Sequence, residues 1–209
     1  MLKRLLVGLA LVVASFTAQA QAQVKPYIEL AQPLPTDSGD KIEVIEFFWY
    51  GCSHCYAFEP YIEGWLKRLS KDVEFRRVPA MFNKQWAEAG RVYYTLEAMG
   101  LLDRLHRPLF DAIHQQHLRI TNEDQLRDWL KRQKVDVDKY FATAQSFSVE
   151  SKLKRAAVMT EASKITGVPA LLVNGRYLVS AEVGSQQEML QIADSLIQRS
   201  RTGKTTATK

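Results

Sequence analysis

Cys52 and Cys55 stand three positions apart, with Ser53 and His54 between them, and the chain has no other cysteine. Two thiols at this spacing can close a disulfide within one helical turn. The loop so closed is tiny and gains little by restricting the unfolded chain. The pair therefore suits redox exchange better than structural stapling. A zinc site is the main competing chemistry, because His114 and His117, at i, i+3, could complete a Cys2His2 set. These histidines lie far along the chain, where they read as solvated helix positions, and redox exchange is the stronger reading.

Three further groups could serve that exchange. His54 sits beside Cys52 and is either a bystander on a first helical turn or a partly charged donor that stabilises a Cys52 thiolate. Glu46 lies inside an apolar run, where a carboxylate is costly unless paired or protonated. Arg76 or Arg77 could pair with it as a structural ion pair, and strand alternation lets only one of them point its way. Alternatively, Glu46 is a buried proton acceptor for Cys55. Val168-Pro169 opens a strand just before an Asn-Gly turn. A cis bond there would let Val168 offer backbone groups beside the cysteines, where an extended substrate could add as a strand.

The elements that must position these groups are legible. Ile42 to Trp49 is apolar on both faces, as expected of a central, doubly covered strand. The Cys52–Cys55 segment follows at once and leads into a helix with Phe58, Tyr61, Ile62, Trp65, Leu66 and Leu69 on one face and Pro60 inside it. Cys52 then falls at a helix N-terminus, where unpaired N–H groups and the dipole favour a thiolate. Val73 to Val78 is the next strand, and strand–helix–strand implies a right-handed parallel crossover. From about Gln85 to Ile165 the pattern is helical only: Trp86–Met99 ending at Gly100, Leu102–Leu118 with Pro108, a helix capped by Thr121 or Asn122, one capped by Asp136, and Val149–Ile165. Ala170–Val173, Asn174-Gly175 and Arg176–Ser180 predict a type I′ hairpin, and Gln186 to about Gln198 a final helix. Short strand character at Tyr27–Leu30 precedes a Pro- and Asp-rich loop.

The whole chain has 209 residues, 46% hydrophobic and 24% charged, which excludes disordered, collagenous and coiled-coil classes. Its formal charge is +5, with the basic residues scattered, so no nucleic-acid partner is implied. Lys3 and Arg4, the apolar run Leu5–Phe16, and the small-residue sites ending at Ala20 and Ala22 form a secretory signal peptide pattern. Removal of residues 1–22 takes away two bases and no acid, lowering the charge from +5 to +3. The mature protein is expected in an oxidising compartment. The layout expected is an α/β layer over 23–84 and 162–200, an all-helical insertion over 85–161, and a disordered tail over 201–209.

Phe47-Phe48-Trp49-Tyr50-Gly51-Cys52-Ser53-His54-Cys55 together with Gly167-Val168-Pro169 resembles the DsbA family of periplasmic thiol:disulfide interchange proteins. The resemblance covers nearly the whole mature chain. It implies a thioredoxin-like fold with an inserted helical domain, Cys52 as the attacking and Cys55 as the resolving cysteine, and Val168-Pro169 as the cis-proline substrate motif. It also matches Glu46 to the family's buried acid and His54 to its histidine before the second cysteine. A depressed Cys52 pKa and an oxidising couple are implied too, this family being the standard example of both. The implied activity is donation of the Cys52–Cys55 disulfide to folding exported proteins with free thiols, with no cofactor. A DsbB-like membrane quinone oxidoreductase would reoxidise the pair. A reductase of the same fold and a non-catalytic peptide-binding chaperone are the alternatives. The N-terminal segment is too short for the dimerisation domain of the periplasmic isomerases, and a monomer is expected. One departure stands out: the family's best-known dipeptide between the cysteines is Pro-His, and here it is Ser53-His54. That removes a φ constraint and adds a hydroxyl able to donate to a sulfur.

Overall fold

A computed structural model describes residues 25–206, with side chains to Thr202; the signal peptide assigned to 1–22 lies outside these residues, as do 207–209. Five strands form one mixed sheet: β1 (Ile28–Glu29), β2 (Ile42–Phe48), β3 (Val73–Pro79), β4 (Ala170–Val173) and β5 (Tyr177–Ser180). Their spatial order is β1-β5-β4-β2-β3. Only the β2–β3 pair is parallel, and the helix α1 (Ser53–Leu66) supplies the crossover between them. Such a crossover is what a parallel pair requires. The β4–β5 hairpin turns at Asn174 (φ 52°) and Gly175 (φ 64°), the two left-handed residues a type I′ turn needs.

Every residue of β2 is buried, because helices cover both sheet faces. On one face Ile42, Val44, Leu171 and Val173 pack against Phe58, Ile62 and Trp65 of α1 and against α7 (Gln186–Thr206). On the other, Ile45, Phe47 and Leu172 join a larger core with the inserted helices. Those helices are α2 (Lys84–Ala98), α3 (Leu102–Gln115), α4 (Glu123–Arg132), α5 (Val137–Ala144) and α6 (Phe147–Ala162), all lying in sequence between β3 and β4. Asn83, Asn122, Asp136 and Ser146 cap α2, α4, α5 and α6, each accepting a backbone N–H three residues on. Of the two caps considered for α4, Asn122 is the one used.

The structure departs from the sequence expectations at several ends. Helix α3 stops at Gln115, not Leu118, and runs unbroken through Pro108. Helix α6 ends at Ala162 rather than Ile165, because Lys164 takes the left-handed conformation (φ 56°) usually left to glycine. The tail expected to be disordered from 201 is helical through Thr206. Ser200 is buried there, and Arg201 clamps Asp72 with bonds of 2.6 and 2.8 Å, which ties this last stretch to the start of β3.

Candidate active site

Cys52 is the N-cap of α1, held in extended conformation (φ −89°, ψ 117°), and its sulfur replaces the usual capping oxygen. The Cys55 backbone N–H donates to Cys52 Sγ at 3.4 Å. A capping acceptor that can ionise is drawn towards its charged form by this geometry. Both cysteines stand as free thiols, Cys52 half-buried and Cys55 fully buried. The Cys55 thiol donates towards Cys52, while the backbone N–H groups of Cys55 and His54 and the imidazole charge of His54 add to the effect. Partial burial opposes them, and the Cys52 pKa falls to about 6. Burial, with the adjacent Cys52, pushes the Cys55 thiol well above its ordinary value. The two sulfurs are thus chemically unlike: one an accessible thiolate, the other a buried thiol.

His54 is exposed on the first turn of α1, close enough for its charge to act on Cys52. Ser53 is exposed as well, and its hydroxyl makes none of the hydrogen bonds at Cys52 Sγ. The Val168–Pro169 bond is cis. The Val168 carbonyl lies 3.5 Å from Cys52 Sγ, so the strand-opening segment does stand against the reactive sulfur. A groove beside it is lined by His54, Tyr61, Pro169, Gly184, Gln186 and Met189. Tyr61, placed on the core face of α1 by periodicity, is 47% exposed and faces this groove instead.

Glu46 is fully buried on β2, and register puts it beside Arg77 of β3. Of the two arginines considered, Arg77 is its partner, at 3.0 Å from Nε to Oε2. Arg76 points the other way and binds Glu43 at 2.9 Å. The remaining Glu46 oxygen, Oε1, has no hydrogen-bond partner among the described residues. Burial raises the Glu46 pKa well above the carboxylate range. Arg77 counters this, while Glu59 and Cys52 reinforce it. Glu46 is thus an acid that can hold its proton near neutrality, and its charge is felt at Cys55.

The site roles of three residues were not legible in the sequence. Glu59 is buried on α1 and takes the second arm of Arg77 at 3.0 Å. Its only sequence signal is a carboxylate at i+4 from Cys55 and i−3 from Ile62, both on the buried face. His106 of α3 lies 3.2 Å from Glu59 and 2.8 Å from the Tyr50 hydroxyl. His114, eight residues on along α3, meets the Tyr50 carbonyl at 2.8 Å and stacks on Tyr56. His114 is therefore not on a solvated face; helix α3 carries it to the strand–helix junction. His117 lies beyond the end of α3 with φ 57°, so the two histidines do not share a helical face.

A buried acid, an N-capping thiol and a buried partner thiol beneath a cis-Pro strand are the parts that dithiol exchange needs. Residues 61–195 match the model of the DSBA-like thioredoxin domain. Over 178 residues the chain is 40% identical to the thiol:disulfide interchange protein DsbA of Pseudomonas aeruginosa, covering 85% of this chain and 84% of that protein. The chain belongs to the DsbA family. Against DsbA of Pseudomonas syringae, identity is 39% over 207 residues, covering 96% of this chain and 97% of the relative. The crystal structure of Pseudomonas aeruginosa DsbA superposes with a TM-score of 0.82 at 39% identity, covering 86% of this chain and 94% of that one. The oxidoreductase NmDsbA1 from N. meningitidis follows at 0.75 and 27% identity, covering 86% and 93%. Like the DsbA proteins it matches, this chain has a thioredoxin-like fold with a helical insertion and is a thiol:disulfide oxidoreductase. It therefore acts on protein thiols and exchanges electrons with a redox partner. Among the described residues, no helix is long and apolar enough to cross a membrane.

Proposed function

We propose that this DsbA-family protein is a periplasmic dithiol oxidase, exported by its 1–22 leader, that gives the Cys52–Cys55 disulfide to unfolded exported proteins. The observation that carries this reading is Cys52 as the N-cap of α1, its thiolate favoured down to about pH 6. A thiolate stabilised in the reduced enzyme favours reduction of the enzyme and so oxidation of the substrate. Each unit by which the pKa lies below ambient pH is worth about 1.4 kcal/mol in that direction.

A substrate thiolate attacks Cys52 Sγ, and the Cys52–Cys55 bond breaks. The electron pair leaves on Cys55 Sγ, which takes the proton of the Glu46 carboxyl. This gives a mixed disulfide at Cys52, a Cys55 thiol and a Glu46 carboxylate. A second substrate thiolate then attacks the substrate sulfur of the mixed disulfide, and Cys52 leaves as a thiolate. The two substrate thiolates, their protons already released to solvent, have lost two electrons; the enzyme holds these as a Cys52 thiolate and a Cys55 thiol, with Glu46 ionised. In the reverse direction Glu46 accepts the Cys55 proton as Cys55 attacks. Val168 and Pro169 position the substrate chain beside Cys52, and His54 supports the thiolate. Residues 23–84 with 162–200 form the redox unit and 85–161 its helical cover; the enzyme acts as a monomer. A DsbB-like membrane quinone oxidoreductase restores the disulfide.

Equilibration with glutathione tests the direction. The expected result is a pair reduced by glutathione more readily than an ordinary protein disulfide, with stoichiometric oxidation of a reduced, unfolded protein by the oxidised enzyme. A pair that stays oxidised against excess reduced glutathione would support the reductase reading instead.

A further inference from the structure

Arg77 is shared by two buried carboxylates, at 3.0 Å from each of Glu46 and Glu59. With one guanidinium between them, ionising both would leave a net negative charge in the core. One proton therefore belongs to the pair, and the surroundings decide which carboxylate carries it. Among the described residues Glu46 has Arg77 as its one hydrogen-bond partner, and its Oε1 has none. Glu59 has a second polar partner, His106 Nε2 at 3.2 Å.

His106 has two contacts, the Tyr50 hydroxyl at 2.8 Å from Nδ1 and Glu59 Oε1 at 3.2 Å from Nε2. An ionised Glu59 can only accept, so beside it Nε2 carries the proton and the Tyr50 O–H donates to Nδ1. The ring is enclosed by Phe48, Tyr50, Tyr93 and Phe110, and this burial holds its pKa down, so it stays neutral while it donates. The charged and titratable groups facing His106 are Glu59 and Glu63 of α1, Arg77 of β3, and Tyr50; Tyr93 of α2 presents its edge. Those facing Glu46 are Arg77, Glu59, Cys52, Cys55 and Tyr93.

We propose that His106, contributed by the helical insertion, is the positioning residue that places the shared proton on Glu46 rather than on Glu59. Its N–H stabilises the Glu59 carboxylate, Glu59 then competes for Arg77, and Glu46 keeps the proton needed by Cys55. The directions of titration agree. Burial would raise Glu59, but the His106 bond and the nearby charges outweigh it and lower Glu59, while Glu46 is raised. The inference rests on the reading of Glu46 as the proton donor and acceptor of Cys55.

The test is a pH titration of the carboxyl carbons of Glu46 and Glu59 by 13C NMR, in the full-length reduced protein. In the wild type, Glu46 should titrate above Glu59 and His106 should be a neutral Nε2–H tautomer at pH 7. A reversed order, or a protonated His106, overturns the proposal without any variant. In His106→Phe, which keeps the ring packing and removes the donor, the Glu46 midpoint should fall by about one unit or more, a tenfold change in its proton affinity. His106→Gln, which keeps an N–H, should restore the wild-type order. An unchanged Glu46 midpoint in His106→Phe overturns the proposal, as does an equal fall in both variants. Failure of the underlying reading is separate: there the titration behaves as described, yet Glu46→Gln forms mixed disulfides at the wild-type rate.

Discussion

Cys52 and Cys55 have the same side chain and opposite chemistry, and the difference is positional. Cys52 caps a helix and is half-exposed; Cys55 lies one turn in and is sealed in the core. Alkylation of the reduced protein should modify Cys52 with a half-maximal rate near pH 6 and leave Cys55 untouched. Preferential labelling of Cys55, or a midpoint at the ordinary value of about 8.5, would contradict the assignment. The Cys55→Ala variant should accumulate mixed disulfides with substrates, because intramolecular escape is lost, whereas Cys52→Ala should form none. Non-reducing electrophoresis reads this, and equal trapping by both would rule out a single attacking sulfur. On the proposed mechanism, Glu46→Gln removes the acid that protonates the departing Cys55. Its rate of mixed-disulfide formation at neutral pH should drop by about tenfold or more, the lower part of the range for lost general acid–base help. Stopped-flow fluorescence with a thiol peptide is the measurement.

At the level of elements, the site is a junction of ends. The end of β2, the first turn of α1 and the start of β4 meet at the Cys52 sulfur, and each end is held by backbone bonds. The β4–β5 hairpin is one such hold, because its turn also anchors the loop before β2: the Gly175 carbonyl accepts from Leu34 N at 2.7 Å. A Cβ on Gly175 would sit 2.1 Å from the Leu34 carbonyl oxygen, and its φ of +64° already disfavours a side chain. Gly175→Ala should therefore cost more than about 1 kcal/mol, the usual scale for alanine forced to positive φ. Urea melts would show this, with the Cys52 alkylation midpoint unchanged; wild-type stability in the variant would mean the turn relaxes freely. Helix α3 contributes differently, reaching out of the insertion to hold Tyr50 by its hydroxyl through His106 and by its carbonyl through His114.

For the whole molecule, redox state and stability are linked. The folded state lowers the Cys52 pKa from about 8.5 in an unfolded chain to about 6. A lowered folded-state pKa adds stability above the unfolded value, and this is lost as pH falls through the folded one. Only the reduced form has this thiolate. Relative to the oxidised form, the reduced form should therefore gain about 2 kcal/mol between pH 5 and pH 8.5, after allowance for solvent screening of a half-exposed group. The chain-entropy advantage of the disulfide, about 2 kcal/mol for so short a loop, opposes this and does not vary with pH. Paired urea melts at the two pH values check the trend. A reduced form that gains nothing on raising the pH would mean that folding does not stabilise the thiolate.

Much of this protein was legible locally. The run apolar on both faces from Ile42, the Cys-x-x-Cys junction, the Asn-Gly hairpin and the caps of α4 and α5 are written in neighbouring residues, because backbone geometry and capping act over a few positions. The reactive cysteine, its helix N-terminus and the need for a partner at Glu46 follow from the same short range. The helix ends at Ala162 and Thr206 were not legible, since one depends on a left-handed lysine and the other on an arginine reaching Asp72 across the fold. Nor was the choice of Arg77 over Arg76, which rests on the parallel register of β2 with β3. The roles of Glu59, His106 and His114 were furthest from view. A buried polar group is satisfied by whatever tertiary packing brings within about 3 Å, and here the partners come from α1, β3, α3 and the strand–helix junction, 18 to 64 residues apart in sequence. Sequence alone determined which sulfur chemistry this protein performs; the tertiary structure decided which buried groups surround it.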